Sequence, residues 1–249
     1  MNPWTRRPLG PIDLHGDPEP ELLLVPGAGE QAATFRDLVQ ALSIPAAAVD
    51  LPGHGGHAGA LLTSVEEMAE AMEAGLRELG RAVVLLGHSM GGAVTIRVAL
   101  RRAVGLRGII LYSTGARLRV SPMIFGALER LYDLRTRDSV RGFFGPAVTE
   151  EVLDAYLALP RHPTNAQALT DFRAADRFDE MASVGDIALP ALVLGGDSDV
   201  LTPPKYQAWL AEKIPGARRV ILAGCGHVGH MERPGEVLSA VESFVGSLA

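Results

Sequence analysis

Cysteine is almost absent. Cys225 is the single one in 249 residues, so no intramolecular disulfide can form and a cysteine-built zinc cluster has no ligand set. Aromatic residues make up only 5%, so a core of this size must come from Leu, Val, Ile and Ala. Long apolar runs are missing too. Stretches such as Ala82 to Leu86 fall far short of the roughly 20 residues that a membrane-spanning helix needs. The first twenty residues carry Arg6, Arg7 and several prolines but no signal-peptide apolar core, which predicts a cytoplasmic protein away from membranes. Charge of one sign is never concentrated: 23 basic and 29 acidic residues are scattered, for a net charge of −6. Without a basic patch, nucleic acid is excluded as the expected partner.

The chain is rich in Gly (28) and Pro (17), with 47% hydrophobic and 21% charged residues. That length and balance suit one α/β domain with many turns. Short Val-, Leu- or Ala-rich runs alternate with longer amphipathic stretches, the pattern of βαβ units around a parallel sheet. Strands are predicted at Glu21–Val25, Ala46–Asp50, Ala82–Leu86, Leu106–Leu111, Ala191–Gly195 and Arg218–Leu222. Helices are predicted at Gln31–Leu42, at Ser64–Leu79 with a Ser64/Glu67 capping box, and at Gly91–Arg102, Pro204–Lys213 and Gly235–Leu248. Alternation fails between Ser113 and Ile187. That region holds only helix-like stretches, Met123–Asp133, Ser139–Phe144, Glu150–Leu157 and Thr164–Ala174, and reads as a helical insertion.

The chemistry concentrates in four segments. Gly87-His88-Ser89-Met90-Gly91-Gly92 follows a predicted strand and opens a predicted helix, the context of a nucleophile elbow. A serine on so sharp a turn takes strained backbone angles, and flanking side chains would collide, which explains Gly87 and Gly91. Serine needs a base. His227, in the glycine-rich loop after the last predicted strand, is assigned that role. His230 could pair with it on a metal, but no further Cys or His converges, so no metal is expected and His230 is read as packing behind the site. The acid that orients His227 should follow the preceding strand, where Asp197 and Asp199 compete. Asp199 is preferred because it lies deeper in the turn, before Val200 and Leu201. The amides of Ala28, in the loop Pro26-Gly27-Ala28-Gly29, and of Met90 are the expected oxyanion donors.

Together these segments resemble the α/β-hydrolase superfamily. Val25-Pro26-Gly27, Asp50-Leu51-Pro52-Gly53-His54-Gly55, Gly87–Gly92, Gly196-Asp197-Ser198-Asp199 and Gly226-His227 stand in family order. The resemblance implies an α/β-hydrolase fold with a mostly parallel sheet flanked by helices. Residues 1–112 and 187–249 would form the core, and 113–186 a helical cap inserted after strand 6. It also implies a Ser89, Asp199, His227 triad without cofactor, acting on a small-molecule ester. Two departures stand out. Pro26 replaces a histidine that often braces the oxyanion loop, and the Pro-rich N-terminus predicts an abbreviated or absent first hairpin.

Other readings use the same fold. A C–C bond hydrolase, enol-lactonase or menaquinone-pathway lyase would clamp a substrate carboxylate with cap arginines such as Arg117, Arg119, Arg130, Arg135 and Arg137. A non-catalytic ligand-binding protein is the third reading. His54 and His57 read first as turn structure, Cys225 as a buried small residue, and Phe125, Phe143 and Phe144 equally as packing or pocket lining. The oligomeric state is left open, a homodimer included.

Overall fold

The computed structural model describes residues 3–129, 136–160 and 165–248. Eight strands form one sheet: β1 (Thr5–Leu9), β2 (Ile12–Gly16), β3 (Leu22–Val25), β4 (Ala46–Asp50), β5 (Val83–His88), β6 (Leu106–Tyr112), β7 (Ala191–Gly196) and β8 (Arg218–Leu222). Their order is β1-β2-β4-β3-β5-β6-β7-β8. β1 and β2 pair antiparallel to their neighbours, and β3 to β8 run parallel.

The first hairpin is therefore present, contrary to the expectation from the Pro-rich start. β1 is an edge strand with Pro8 in it, and an edge tolerates a missing N–H. Gly10, at φ +57° in the two-residue link Gly10-Pro11, turns the chain back on itself.

The central strands read as continuous apolar runs because both faces are covered. Leu23 and Val25, Val83 and Leu85, and Ile109 and Leu111 face one core, with α2 (Val65–Leu79), α3 (Met90–Leu100) and α8 (Pro204–Lys213). Leu22 and Leu24, Val84 and Leu86, and Ile110 and Tyr112 face the other, with α1 (Arg36–Ala41) and α10 (Pro234–Gly246). The alternation follows from side chains pointing to opposite faces along a strand. Ser64 caps α2 by accepting the Glu67 N–H at 3.2 Å, while the Glu67 carboxylate accepts from the Thr63 N–H rather than completing the box on Ser64 itself.

Between β6 and β7 lie α4 (Pro122–Glu129), α5 (Arg137–Arg141), α6 (Glu150–Leu157) and α7 (Ala166–Arg177). The ends of the helices expected at Met123–Asp133 and Thr164–Ala174 fall partly outside the described residues. Val140, Phe144, Leu153 and Tyr156 bury against Val228, in the loop after β8 that also opens the short α9 (Gly229–Glu232). α7 packs on α3 and α4.

Candidate active site

The link between β5 and α3 is a single residue, Ser89, at φ +54° and ψ −117°. A non-glycine residue there costs of order 1–3 kcal/mol, held by its surroundings. The Ser89 N–H donates to the Tyr112 carbonyl at 2.9 Å, and the Ser89 carbonyl accepts from the Gly92 N–H and from Thr114 Oγ1 at 2.7 Å. A Cβ on Gly87 would stand 2.1 Å from the Gly91 carbonyl, and one on Gly91 would stand 2.2 Å from the Val25 carbonyl. Both glycines are thus dictated by close backbone approach.

His227 follows β8, with its N–H donating to the Phe143 carbonyl at 2.7 Å. Its ring Nδ1 lies 2.8 Å from Asp199 Oδ2. A carboxylate acceptor there requires the proton on Nδ1 and leaves Nε2 with a free lone pair. Asp199 is buried and accepts further bonds from the N–H groups of Leu201 and Thr202, both at 2.9 Å, and from Thr202 Oγ1 at 2.7 Å. Burial works to raise its pKa, but the adjoining His227 and these donors bring it below the ordinary carboxylate value. Asp197 accepts from the Gly224 N–H and Ser198 Oγ instead and does not join this group.

On the other side of Ser89 runs the loop Gly27-Ala28-Gly29. Gly27 N–H donates to Glu30 Oε2 at 2.8 Å. The same carboxylate oxygen lies 3.2 Å from His88 Nδ1, and His88 Nε2 lies 3.0 Å from the His227 carbonyl. With acceptors on both ring nitrogens, His88 is held as the imidazolium. Burial opposes that charge, and the neighbouring Glu30 carboxylate overcomes it, raising the His88 pKa. Reciprocally, burial would raise Glu30, yet the charge and hydrogen bond of His88 hold it at about 2. No partner among the described residues takes the Ala28 N–H, and Met90, first in α3, has no preceding helix carbonyl to bond. These two amides are the free donors beside Ser89.

Ser89, His227, Gly27, Ala28 and Glu30 share one cavity of about 50 Å³, walled by Phe143, Tyr156, Phe172, Leu201 and Val228. Phe143 thus lines the cavity, whereas Phe144 packs beneath it and Phe125 does not reach it. Tyr156, Phe172 and Glu30 escaped sequence reasoning; no local motif marks them. Of the arginines considered as a carboxylate clamp, Arg117 and Arg119 face Asp179, and Arg137 pairs with Glu150 and Asp154. None of the three lines the cavity, while Arg130 and Arg135 lie outside the described residues. His230 is buried behind the site, its N–H on Tyr112 Oη at 2.6 Å and its ring on Phe35. Burial and the charged His88 hold it neutral, with a pKa near 3. Cys225 is buried, and burial pushes its thiol pKa well up. His57 accepts from the Gly59 N–H in an exposed turn.

Among the described residues, no group of three or more His, Cys, Asp or Glu could hold a metal ion, and no helix is long and apolar enough to cross a membrane.

The family model for the alpha/beta hydrolase family matches residues 22–241. Pimeloyl-[acyl-carrier protein] methyl ester esterase of Nitrosomonas europaea is 25% identical over 249 residues, covering 90% of this chain and 95% of that enzyme. Polyketide synthase ThaQ of Burkholderia thailandensis is 31% identical over 231 residues, 86% of this chain but 11% of its own length, so the chain spans about a tenth of that relative. Among solved structures, a thermophilic esterase superposes with a TM-score of 0.82 at 27% identity, covering 96% of this chain and 94% of that one. The sheet order, the one-residue strand-to-helix link at Ser89 and the match over 22–241 lead to one conclusion: this chain belongs to the alpha/beta hydrolase family of enzymes, with named esterases among its relatives.

Proposed function

We propose that the chain cleaves carboxylic esters of small molecules through an acyl-serine intermediate. The observation that carries this reading is the 2.8 Å bond from His227 to buried Asp199, made in the wall of the cavity that holds Ser89. Ser89 Oγ attacks the ester carbonyl carbon and its proton passes to His227 Nε2. Asp199 holds the imidazole in the tautomer that leaves Nε2 free and stabilises the imidazolium once formed. The carbonyl oxygen, now an oxyanion, takes the N–H groups of Ala28 and Met90. The alkoxide leaves with the proton from His227, and water repeats the sequence to release the acid and restore Ser89.

In this reading residues 113–186 are a cap on a core of 1–112 and 187–249. Its support is that Phe143, Tyr156 and Phe172 come from that segment and wall the cavity. The cavity beside Ser89 is narrow, about 50 Å³. One side of the ester is therefore small: an acetyl or propionyl group, or the methyl of a methyl ester such as the relative's name describes. Among the described residues no Lys or Arg lines the cavity, so nothing there favours the carboxylate-clamping alternatives.

The test is hydrolysis of p-nitrophenyl esters of graded acyl length by the purified protein, beside Ser89→Ala and His227→Ala. Turnover that is fastest for acetate and lost in both variants is the expected result. Folded wild-type protein that hydrolyses none of these esters, nor methyl esters, overturns the proposal.

A further inference from the structure

The loop that offers the Ala28 amide is pinned at three successive peptide planes. Glu30 Oε2 takes the Gly27 N–H at 2.8 Å, the Gly27 carbonyl accepts from the Glu30 N–H at 3.2 Å, and Asp171 Oδ2 takes the Gly29 N–H at 2.8 Å. In a trans peptide the carbonyl and the next N–H point oppositely. Anchoring the Gly27 carbonyl on Glu30 therefore turns the Ala28 N–H the other way. Gln167 Nε2 completes the hold by donating to the Glu30 carbonyl at 2.9 Å.

Asp171 and Gln167 both belong to α7, more than 130 residues along the chain from this loop. The next residue, Phe172, lines the cavity, and a Cβ on Gly29, at φ +73°, would stand 3.1 Å from Ala168 Cβ of the same helix. One helix thus closes the cavity and grips the oxyanion loop.

Asp171 is fully buried, and its Oδ1 has no hydrogen-bond partner among the described residues. A carboxylate so placed requires a cation. His54 supplies it: Nε2 lies 3.0 Å from Asp171 Oδ2, and Nδ1 lies 3.0 Å from the Pro52 carbonyl. As with His88, acceptors at both nitrogens are satisfied only by the imidazolium. The charged groups facing His54 are Asp171 from α7 and Asp50 at the end of β4, the latter beside His15 of β2. Burial works against the charge, but Asp171 prevails and the His54 pKa is raised.

We infer that Asp171 and His54 form a positioning pair for the oxyanion loop, a buried carboxylate–imidazolium clamp opposite Glu30–His88 that fixes the Ala28 amide and makes its alignment depend on α7. This rests on the esterase reading above. The pair touches no reacting atom. Its charge makes the clamp sensitive to pH: as pH rises through the raised pKa of His54, the positive charge beside Asp171 is lost, His54 keeps a single N–H for two acceptors, Asp171 Oδ2 and the Pro52 carbonyl, and the loop loosens.

The test measures kcat and KM of wild type, Asp171→Asn and His54→Gln on p-nitrophenyl acetate from about pH 6 to about pH 10. Rates are taken per active site titrated with a serine-directed phosphonate, and folding is followed by thermal unfolding. Removing an oxyanion donor outright costs roughly 10²–10³ in kcat, so a loosened donor is expected to cost about tenfold in Asp171→Asn, with KM moving less than about threefold. In wild type kcat declines on the alkaline side. His54→Gln offers Asp171 a neutral donor and no cation at any pH, so its kcat lies at the lowered alkaline level throughout and that decline is absent. Should Asp171→Asn fail to fold, the His54→Gln profile decides. Folded variants that keep the wild-type kcat and pH profile overturn the clamp, as does a change confined to KM. A wild type that hydrolyses no ester and takes no phosphonate overturns the esterase reading instead.

Discussion

Gly91→Ala sets two physical effects against each other. In a helix, alanine is favoured over glycine by roughly 0.5–1 kcal/mol, and Gly91 sits in the first turn of α3. Its new methyl would stand 2.2 Å from the Val25 carbonyl oxygen, 2.6 Å from that of Pro26 and 2.8 Å from the Val25 carbonyl carbon. All three are backbone atoms, so α3 and the end of β3 must separate by about 1 Å. Overpacking costs typically 1–3 kcal/mol, and with only backbone to move the upper end applies. Subtracting the helix gain leaves a net loss of about 2 kcal/mol. At roughly 2–4 °C per kcal/mol for a domain of this size, Tm should drop by about 4–8 °C. Gly246→Ala is the control, since nothing lies within 4 Å of its new methyl at the end of α10; it should gain up to roughly 0.5 kcal/mol. Val25 and Pro26 lead directly into the Ala28 loop, so ester hydrolysis should fall in Gly91→Ala and stay unchanged in Gly246→Ala. Thermal unfolding by circular dichroism reads the first effect and p-nitrophenyl acetate hydrolysis the second. A Gly91→Ala protein as stable and active as wild type would refute the close-approach argument.

Asp199→Asn keeps the shape of the acid but offers His227 the wrong tautomer; kcat should fall by about 10⁴ with little change in Tm, and near-normal turnover would remove Asp199 from its assigned role. Glu30 is held at about 2 against an ordinary 4.5, so the stability it contributes is complete above about pH 4.5 and is lost as pH falls through 2. Thermal unfolding of wild type and Glu30→Gln should therefore converge as pH falls from 6 towards 3; a constant gap contradicts the buried Glu30–His88 pair. The buried thiol of Cys225, its pKa raised by burial and by Glu232 beside it, should resist a maleimide at pH 8 and react once urea unfolds the chain. Rapid native labelling would contradict that burial.

Much of the fold could be read locally. The strands from β3 to β7 announce themselves as apolar runs because both sheet faces are buried, and the glycines at 87 and 91 follow from one sharp turn. The N-terminal hairpin was hidden because β1, Thr-Arg-Arg-Pro-Leu, is a mostly exposed edge strand with little apolar signal. Within the site, Ser89, Asp199 and His227 each follow a strand end, so their convergence at one sheet edge was foreseeable from topology. Asp171 and Gln167 were not: they lie on α7, and their bonds to the Gly29 N–H and the Glu30 carbonyl cross more than 130 residues, while the Glu30 carboxylate meets Gly27 three residues away and His88 from the next strand over. The absence of a histidine at position 26 was legible, but not that carboxylates accept the amide N–H groups on both sides of Ala28.

The central claim, that Ser89 is the nucleophile activated by His227, is tested most directly by covalent capture. The protein is treated with a p-nitrophenyl phosphonate, digested, and mapped by mass spectrometry. The expected result is one stoichiometric adduct on Ser89, absent in Ser89→Ala and formed far more slowly in His227→Ala. An adduct on another residue, or none on folded wild-type protein, would contradict the account.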